Sequence, residues 1–311
     1  MYWGDKPYYS LNYFLRQKFG EKVFKISLDG GFTCPNRDGT LSKNGCIFCS
    51  GRGSGDFAPP AILPITEQFN RSRALLKDKW KSGKYIVYFQ AFTNTYGPVD
   101  VLRKKYEEAL SLPNVVGIAI ATRPDCLSKP VLDLLDEINK KTYLWVELGL
   151  QTMHEDTAVL IQRGYPLSCF EEAVNNLSKR NIDTVIHMIL GLPGESKSDM
   201  LSSIKYAAKQ PIQGIKLHLL HIIKDTPLYE YYLENPFHVL TMDEYIDLVI
   251  DCIELLPPHM VIHRITGDGP KALLAAPLWS KNKKAVLNGI HKRLKERNTW
   301  QGKLYSFSCR E

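Results

Sequence analysis

The sequence has no apolar run of about 18 residues, which is the length that a membrane-spanning helix needs. Its first residues, Met1-Tyr2-Trp3-Gly4-Asp5-Lys6, lack the basic and then apolar layout of a secretory signal. Internal repeats, low-complexity tracts and recognisable linkers are also missing. We therefore expect a cytoplasmic globular protein that has no membrane partner.

Cysteine is scarce, with seven residues in 311, and the number is odd. Four of the seven are scattered singly, at Cys126, Cys169, Cys252 and Cys309. A disulfide framework needs paired cysteines in an oxidising compartment, so this pattern disfavours one. We expect these four cysteines to be ordinary reduced residues.

Positive charge is concentrated at one end of the chain. The formal net charge is +7, and residues 281–311 alone carry nine Lys or Arg against two Glu. The other 280 residues balance, with 31 basic and 31 acidic side chains. Clustered cations favour a polyanionic partner such as a nucleic acid, because neutralising phosphates releases counterions. A solvated helix face explains the same charges, and both interpretations stay open.

The other three cysteines form a C-x11-C-x2-C set, Cys34, Cys46 and Cys49, on a Gly-containing stretch. Thiolates are soft ligands that suit iron–sulfur clusters or zinc, and a fully protein-ligated [4Fe–4S] cluster needs four of them. Three ligands leave one iron open, where another molecule must bind. A zinc site with a distant fourth ligand is the alternative. The stretch contains no His, since His154 is the first in the chain, and this favours the cluster.

Strand and helix patterns alternate along the chain. Apolar runs bounded by turns predict strands at 22–29, 85–90, 115–121, 143–150, 184–190 and 214–220. Amphipathic patterns predict helices at 99–111, 129–140, 155–163, 168–180 and 197–209. Such alternation predicts an α/β fold with a parallel sheet, in the form of a partial (β/α)6 TIM-type barrel. In barrels of this kind chemistry occurs at the C-terminal ends of the strands, where the cysteines and the motifs below fall.

The regular alternation of strand and helix patterns ends after residue 228. The sequence predicts a helix at 242–256, a strand at 260–265 and an amphipathic basic helix at 281–297. We therefore expect two parts, a barrel core over 1–228 and a C-terminal α/β extension over 229–311.

From about residue 10 to its end, the chain resembles radical S-adenosylmethionine (SAM) enzymes. It is most similar to the branch that contains the catalytic subunit of Elongator, and there to bacterial proteins of roughly 310 residues with the long first cysteine spacing. The resemblance implies that Cys34, Cys46 and Cys49 hold a [4Fe–4S] cluster whose open iron binds SAM. A reductant such as flavodoxin or ferredoxin would then drive cleavage of SAM to methionine and a 5′-deoxyadenosyl radical.

The resemblance also implies SAM-binding residues near the first strands. Phe48 matches the aromatic residue that lies near the adenine. After the second strand, the stretch 90–96 replaces the Gly-Gly-Glu that often holds the SAM amino group, and Asn94 is one of the polar residues that can take over this role. Capping of the helix near Pro98 is the alternative for Asn94. Arg123 suits a carboxylate, either that of a ligand or that of an ion-pair partner.

Later strands supply the other candidates. Glu147 and Gln151 match the residues near the SAM ribose and methionine, although a Lys or Arg partner inside the barrel also explains Glu147. The turn after the fifth strand, with Gly191, Pro193 and Gly194, resembles the motif whose backbone lies against adenine.

The sixth strand supplies three further candidates. Leu217 offers backbone contacts to adenine, and the resemblance places it near this ligand. Lys216 and His218 are the candidate catalytic residues, and His221 follows the same strand. A His at a barrel mouth can shuttle protons, but a core His with satisfied hydrogen bonds is the alternative.

The later turn at Gly267 to Pro270 is flanked by Arg264, Asp268 and Lys271. These residues either line a substrate site or cap the turn.

For the substrate, the basic end and the family branch both favour tRNA. The expected reaction modifies the C5 side chain of the wobble uridine, a base exposed in the anticodon loop. No acetyltransferase-like segment is present, which favours remodelling of an existing side chain. Two alternatives stay open: a radical SAM enzyme for a small metabolite, of the oxygen-independent coproporphyrinogen oxidase type, and a non-catalytic iron–sulfur protein.

Overall fold

The computed structural model describes residues 2–77 and 83–306. Within this range one sheet contains seven parallel strands: β1 Val23–Leu28, β2 Lys84–Phe89, β3 Val115–Thr122, β4 Tyr143–Gln151, β5 Asp183–Leu190, β6 Gly214–Leu219 and β8 Val261–Arg264. Their order across the sheet is β1-β2-β3-β4-β5-β6-β8. Cys309 and the last charges of the basic end, Arg310 and Glu311, lie outside the described residues.

The sheet curls into a half-barrel with helices on its outer side, which confirms the predicted partial TIM-type barrel. The helices are α1 Leu11–Phe19, α2 Ile65–Lys77, α3 Val99–Leu110, α4 Lys129–Lys141, α5 Glu155–Leu160, α6 Leu167–Ser178, α7 Lys197–Ala208, α8 Pro227–Glu234, α9 Met242–Leu255 and α10 Lys283–Glu296. A short antiparallel pair, β7 Ile222–Ile223 and β9 Leu274–Ala276, lies apart from the main sheet.

The strands bury both faces, and their side chains alternate between two apolar layers. One set, such as Val146 and Leu148 in β4, joins the large core that also contains helix residues such as Leu134 and Val174. The other set, such as Trp145, points into the barrel. Burial of both faces explains why the strand sequences are continuous apolar runs.

Helix α1 closes the end of the barrel at which the strands begin. Leu15 of this helix is buried against Trp145 and Val185, with Phe14 and Phe19 packed around them. Because this end is filled with apolar side chains, the polar interior lies toward the other end, where the strands finish.

The seventh strand was predicted as part of the extension, but it belongs to the main sheet. Strand β8 pairs in parallel with β6, and Lys216 lies opposite Arg264 in the register. The sheet therefore continues across the predicted boundary at residue 228, and the division into 1–228 and 229–311 stays a prediction.

Most helix ends agree with the sequence prediction to within two residues, and helix α5 is the exception. It ends at Leu160 rather than at 163, because the chain turns sharply there, with φ of 54° at Gln162. The sequence analysis did not predict helices α1, α2 and α8.

The basic helix α10 lies against the acidic face of α9. Arg293 pairs with Asp243 and Asp247, and Arg297 pairs with Asp247 at 2.7 Å and with Asp251 at 2.6 Å. Part of the basic end thus has a structural role. Lys281, Lys284 and Lys295 are exposed and form no ion pair with any described residue.

Among the described residues, no helix has both the length and the apolar character that crossing a bilayer requires.

Candidate active site

A cavity of about 460 Å³ opens at the C-terminal ends of the strands. It brings together residues from distant parts of the sequence, as expected for this end of a parallel barrel. The predicted site residues in its wall are Cys34, Cys46, Phe48, Cys49, Arg123, Glu147, Gln151, Lys216 and His218.

The cysteine loop, residues 34–49, is held by two of its own side chains. Asn36 donates to the backbone oxygen of Gln162 at 2.7 Å and contacts the sulfur of Cys46 at 3.5 Å. Arg37 donates through Nη2 to the backbone oxygens of Cys49 and Ser50, both at 2.8 Å. The long spacing between the first two cysteines therefore contributes the residues that fold the loop back on itself.

The three cysteines are partly buried and line the cavity. Burial raises the pKa of Cys46 to about 12, with a further contribution from the charge of Cys49, and burial also raises the pKa of Cys49. The thiols of Cys46 and Cys49 are therefore neutral near pH 7, and a coordinated metal would deprotonate them. Among the described residues, no three His, Cys, Asp or Glu side chains form a ligand group for one metal ion.

The bottom of the cavity is a buried group of charged and polar side chains, which we call the floor cluster: Lys25, Tyr88, Glu147, His187 and Lys216. Glu147 is its centre and is 1% exposed. One oxygen accepts from Lys25 at 3.3 Å and from the indole of Trp145 at 2.9 Å, and the other accepts from His187 at 2.9 Å and pairs with Lys216.

The environment fixes the charge of Glu147. Burial acts to raise its pKa, but the charges of Lys216 and Lys25 and the hydrogen bond from His187 outweigh burial and hold the pKa well below the ordinary value. Burial and the charge of Lys216 lower the pKa of His187 to about 4. The cluster therefore contains an ionised carboxylate and a neutral imidazole. These contacts fit the alternative in which Glu147 has Lys partners inside the barrel.

Arg123 has an ion-pair partner in the protein. It holds Asp125 in a bidentate pair with distances of 2.9 and 2.7 Å, and it donates to the backbone oxygen of Arg163 at 2.9 Å. The guanidinium also lies 4.8 Å from the ring centre of Tyr165. Arg123 itself is 7% exposed, and it fixes the loop around residue 164 and lines the cavity at the same time.

Sequence reasoning missed Arg163, which is 1% exposed and lines the same wall. It donates to the backbone oxygens of Leu150 and Thr152 at 3.1 and 2.8 Å, and to the carboxylate of Glu155 at 3.1 Å. An Arg just after a helix usually remains in solvent, so no pattern in the sequence signalled its burial.

Gln151 reaches the cavity from an unusual backbone conformation. Its φ is 69°, and the pairing of β4 with β5 shifts between Gly149 and Gln151. A Cβ at Gly149 would lie 2.6 Å from Nε2 of Gln151, so the glycine makes room for this side chain. A non-Gly residue in the left-handed region is often associated with a functional site.

Five predicted ligand-binding residues lie outside the described cavity wall: Asn94, Gly191, Pro193, Gly194 and Leu217. Asn94 is buried and donates to the backbone oxygens of Phe89 and Ala121 at 3.1 and 2.9 Å, while Pro98 begins helix α3 without a side-chain cap. The neighbouring residues Gln90 and Thr93 do line the cavity. Asn94 therefore does not cap α3, while its side-chain oxygen has no hydrogen-bond partner among the described residues and its contact with SAM stays a prediction.

The turn after β5 and the middle of β6 lie behind the wall. Gly191 and Gly194 have φ of 91° and 83°, and Leu217 is fully buried in the core between sheet and helices. Their proposed backbone contacts stay predictions.

The wall of the cavity next to β8 is formed by the end of this strand, by the turn that follows it and by a residue after β6. Arg264, His221, Asp268 and Gly269 line the cavity there, and Lys283 of α10 forms an ion pair with Asp268. Helix α10 therefore begins next to the cavity rim. Lys271, which the sequence grouped with Arg264 and Asp268, is not in the wall.

The match to known families covers most of the chain. Residues 39–207 match the Radical SAM superfamily, and residues 212–296 match the Radical_SAM C-terminal domain. The chain therefore belongs to the radical SAM superfamily. It is an enzyme of this type, and it uses a [4Fe–4S] cluster and SAM. Cys34 lies five residues before the matched stretch begins.

Individual relatives place the chain within the superfamily. It is 52% identical to protein YtqA of Bacillus subtilis, over 97% of this chain and 94% of that protein. It is 27% identical to the tRNA uridine(34) acetyltransferase of Dehalococcoides mccartyi, over 63% of this chain and 41% of that protein. These similarities support the Elongator-like branch.

A solved structure shares the fold. The archaeal Elp3 of Methanocaldococcus infernus superposes with a TM-score of 0.67 at 16% identity, over 90% of this chain and 64% of that one. At this identity the similarity establishes the fold alone.

Proposed function

We propose that Cys34, Cys46 and Cys49 hold the [4Fe–4S] cluster and that the enzyme modifies the C5 side chain of the wobble uridine of tRNA. The similarity to a tRNA uridine(34) acetyltransferase carries the substrate assignment. That protein is more than twice as long as the matched stretch, so its activity as a whole is not transferred to this chain.

The three thiols in the cavity wall fit a [4Fe–4S] cluster. Three thiols on one loop face the same space, and Asn36 and Arg37 fix the loop around them. An amide donor near a ligating sulfur tunes the potential of such clusters. When bound and reduced, the cluster supplies the electron that cleaves SAM.

The residues of the chain then have distinct tasks. Phe48, Gln151 and Thr93 line the cavity, and this supports assigning them to contacts with SAM. In the floor cluster, the charge of Glu147 is balanced by Lys25 and Lys216, so the cluster provides a fixed polar surface beneath the ligands. Lys216 is held against this carboxylate and His218 lines the wall beside it, so both candidate catalytic residues face the reaction space.

The start of helix α10 supports a polyanionic substrate. Lys283 pairs with Asp268 at the cavity wall, and the exposed Lys281 and Lys284 flank it. These two lysines form no ion pair with any described side chain and are free to contact phosphates. A nucleic acid bound there would bring its bases to the cavity.

Single replacements of cysteine test the cluster assignment. Cys34→Ala, Cys46→Ala and Cys49→Ala should each lose most of the iron and the SAM-dependent formation of 5′-deoxyadenosine. Cys169→Ala is the matched control, because Cys169 lies outside the cavity wall. Full iron content in any of the three variants, or loss of iron in the control, contradicts the assignment.

Nucleoside mass spectrometry of tRNA tests the substrate. A deletion strain should lack, or carry in truncated form, one modified uridine at the wobble position, and the wild-type gene should restore it. An unchanged set of tRNA nucleosides, together with accumulation of a small metabolite, contradicts the tRNA proposal and favours the small-metabolite alternative.

Binding measurements test the role of the exposed lysines. The double variant K281Q/K284Q should weaken tRNA binding about fivefold to tenfold at low salt and reduce the salt dependence, because two phosphate contacts are lost. The control variant K179Q/K209Q removes the same charge from exposed positions outside the cavity wall and should bind tRNA like wild type.

A further inference from the structure

Arg264 ends the last strand of the sheet and lines the cavity. In the register it lies beside Lys216, and its charge acts on Lys216, Lys25 and His218. Within the described ranges, 2–77 and 83–306, its guanidinium has no ion pair and no hydrogen bond. An arginine in such a cavity ordinarily has a partner, because its five donors are costly to leave unpaired.

The other charges of the wall already have partners. Lys25 and Lys216 share Glu147, Arg123 holds Asp125, and Arg163 holds Glu155. The remaining cation, Arg37, donates to two backbone oxygens, and the carboxylate of Asp268 takes Lys283. The remaining acid of the wall, Asp56, accepts from the Ser50 hydroxyl at 3.1 and 3.0 Å next to the cysteine loop, and no described carboxylate forms an ion pair with Arg264.

Two imidazoles next to Arg264 are also unpartnered. Nε2 of His218 and Nε2 of His221 are buried and have no hydrogen-bond partner among the described residues. Burial lowers the pKa of both, that of His221 to about 4, so both rings are neutral near pH 7 and each carries one N–H donor.

The glycines of the following turn keep this corner compact. A Cβ at Gly269 would lie 3.1 Å from Nδ1 of His221, and one at Gly267 would lie 3.7 Å from Nδ1 of His218. The backbone thus approaches both rings, and only glycine permits the closer of the two approaches without displacing a neighbour.

We propose that Arg264, His218 and His221 form an oxyanion-binding subsite that takes a carboxylate or phosphate group of the substrate. The guanidinium fork suits a two-oxygen group, and the imidazole N–H groups supply further donors. The chain provides three sets of donors on one side of the cavity, and Arg264 and the Nε2 atoms of both imidazoles form no hydrogen bond with any described residue.

The occupant is a substrate group rather than the SAM carboxylate. The cysteine loop follows β1, one edge strand of the sheet, whereas Arg264 ends β8, the other edge strand. The resemblance assigns the SAM carboxylate to the open iron at the cysteine loop and does not include Arg264 among the SAM-binding residues, so we assign Arg264 to the substrate. With the proposed uridine substrate, on which this step rests, the oxyanion is either an acidic substituent on C5 or a phosphate of the nucleotide.

Calorimetric titration of the cluster-loaded enzyme with uridine, uridine 5′-monophosphate and 5-carboxyuridine tests the subsite. Wild type should bind one of the two anionic compounds at least tenfold more tightly than uridine, and the preferred compound identifies the source of the oxyanion. Arg264→Gln should reduce this preference below threefold, Arg264→Lys should keep part of it, and the Kd for SAM should stay within twofold of wild type.

Three outcomes overturn the subsite: a wild type that binds the uridine compounds without preferring an anionic one, an unchanged preference in Arg264→Gln, or an equal loss of SAM binding. If Arg264→Gln does not fold, His218→Gln and His221→Gln must each reduce the preference, and failure of both to do so overturns it as well. Titration with inorganic phosphate separates this proposal from the proposed substrate. Phosphate binding that requires Arg264, in an enzyme that binds none of the three uridine compounds, supports the subsite and contradicts the uridine assignment.

Discussion

Glu147 illustrates how much a single buried carboxylate controls. It is enclosed by Lys25, Lys216, His187 and Trp145, and no other acid lies within the floor cluster. Removing the charge leaves two buried ammonium groups without a counter-ion, which is among the most costly changes that a protein core can suffer.

Glu147→Gln should therefore lower the free energy of unfolding by about 3–5 kcal/mol. Urea titration followed by circular dichroism measures the loss. The double variant E147Q/K216M should recover part of it, because one unpaired charge is removed. Glu137→Gln, which breaks an exposed pair with Arg103, is the control and should leave the free energy of unfolding nearly unchanged. A loss below 1 kcal/mol for Glu147→Gln would contradict the burial of this charge.

His187 makes stability depend on pH. Its pKa is about 4 in the folded chain and 6.5 in the unfolded one, so between these values the unfolded state binds more protons. Stability therefore falls as the pH drops from about 6.5 to 4, by about 3 kcal/mol for this group. His187→Gln keeps a donor to Glu147 without a titrating group, and its unfolding free energy should decrease less over this interval. Identical pH profiles for the two proteins would refute the prediction.

For single residues, the sequence predicted which side chains carry the chemistry better than which residues those side chains contact. The thiol set and an acid in an apolar strand were visible, because their chemistry is unusual in those positions. The burial of Arg163 was not visible, since it depends on a loop that folds back through the left-handed turn at Gln162. For Arg123 the sequence left a ligand and an ion-pair partner open, and the structure shows the pair with Asp125. The resemblance assigned Asn94 to the SAM amino group, and in the structure its amide nitrogen joins β2 and β3.

The bounds of helices and strands agree closely with the prediction where the sequence carries a start signal and a stop signal. Helix α9 begins with a capping box, in which the Thr241 side chain accepts from the backbone of Glu244 and the Glu244 side chain accepts from the backbone of Thr241. Helix α1 and strand β8 had weaker signals: one is short and aromatic, and the other has only four residues. Their place in the fold follows from tertiary packing, which local patterns do not encode.

Thr241→Ala should destabilise the protein by about 1 kcal/mol, because the first turn of α9 loses its side-chain acceptor. Ser128→Ala provides a matched control, since Ser128 occupies the same position before α4 without forming a cap hydrogen bond. Thermal or urea unfolding of both variants measures the difference. Equal losses would show that the cap of α9 contributes nothing specific.

For the molecule as a whole, one buried amide joins three distant segments. The side chain of Gln301 accepts from the backbone of Tyr9 at 2.8 Å and donates to the backbone oxygens of Pro257 and Met260 at 2.6 and 2.8 Å. The backbone of Ile262 in turn donates to Tyr9 at 2.7 Å. The segment before α1 and the segment after α10 thus both cover the edge at β8, which would otherwise be an open sheet edge.

Gln301→Ala should lower the free energy of unfolding by about 2–4 kcal/mol, because several buried backbone groups lose their partners together. Gln301→Glu is the more informative variant, since it keeps one acceptor but places a charge where two donor bonds existed. Urea unfolding should rank wild type above both variants. Wild-type stability for Gln301→Ala would show that solvent replaces the lost hydrogen bonds.

The three partners of Gln301 also set an order of events during synthesis. Residue 9 is separated from residues 257–262 and 301 by most of the chain, so the last strand of the sheet cannot be secured until residue 301 has left the ribosome. Contacts of such long sequence separation form late and slowly. The nascent half-barrel therefore waits with its final edge exposed, and assistance by chaperones should matter most in that interval.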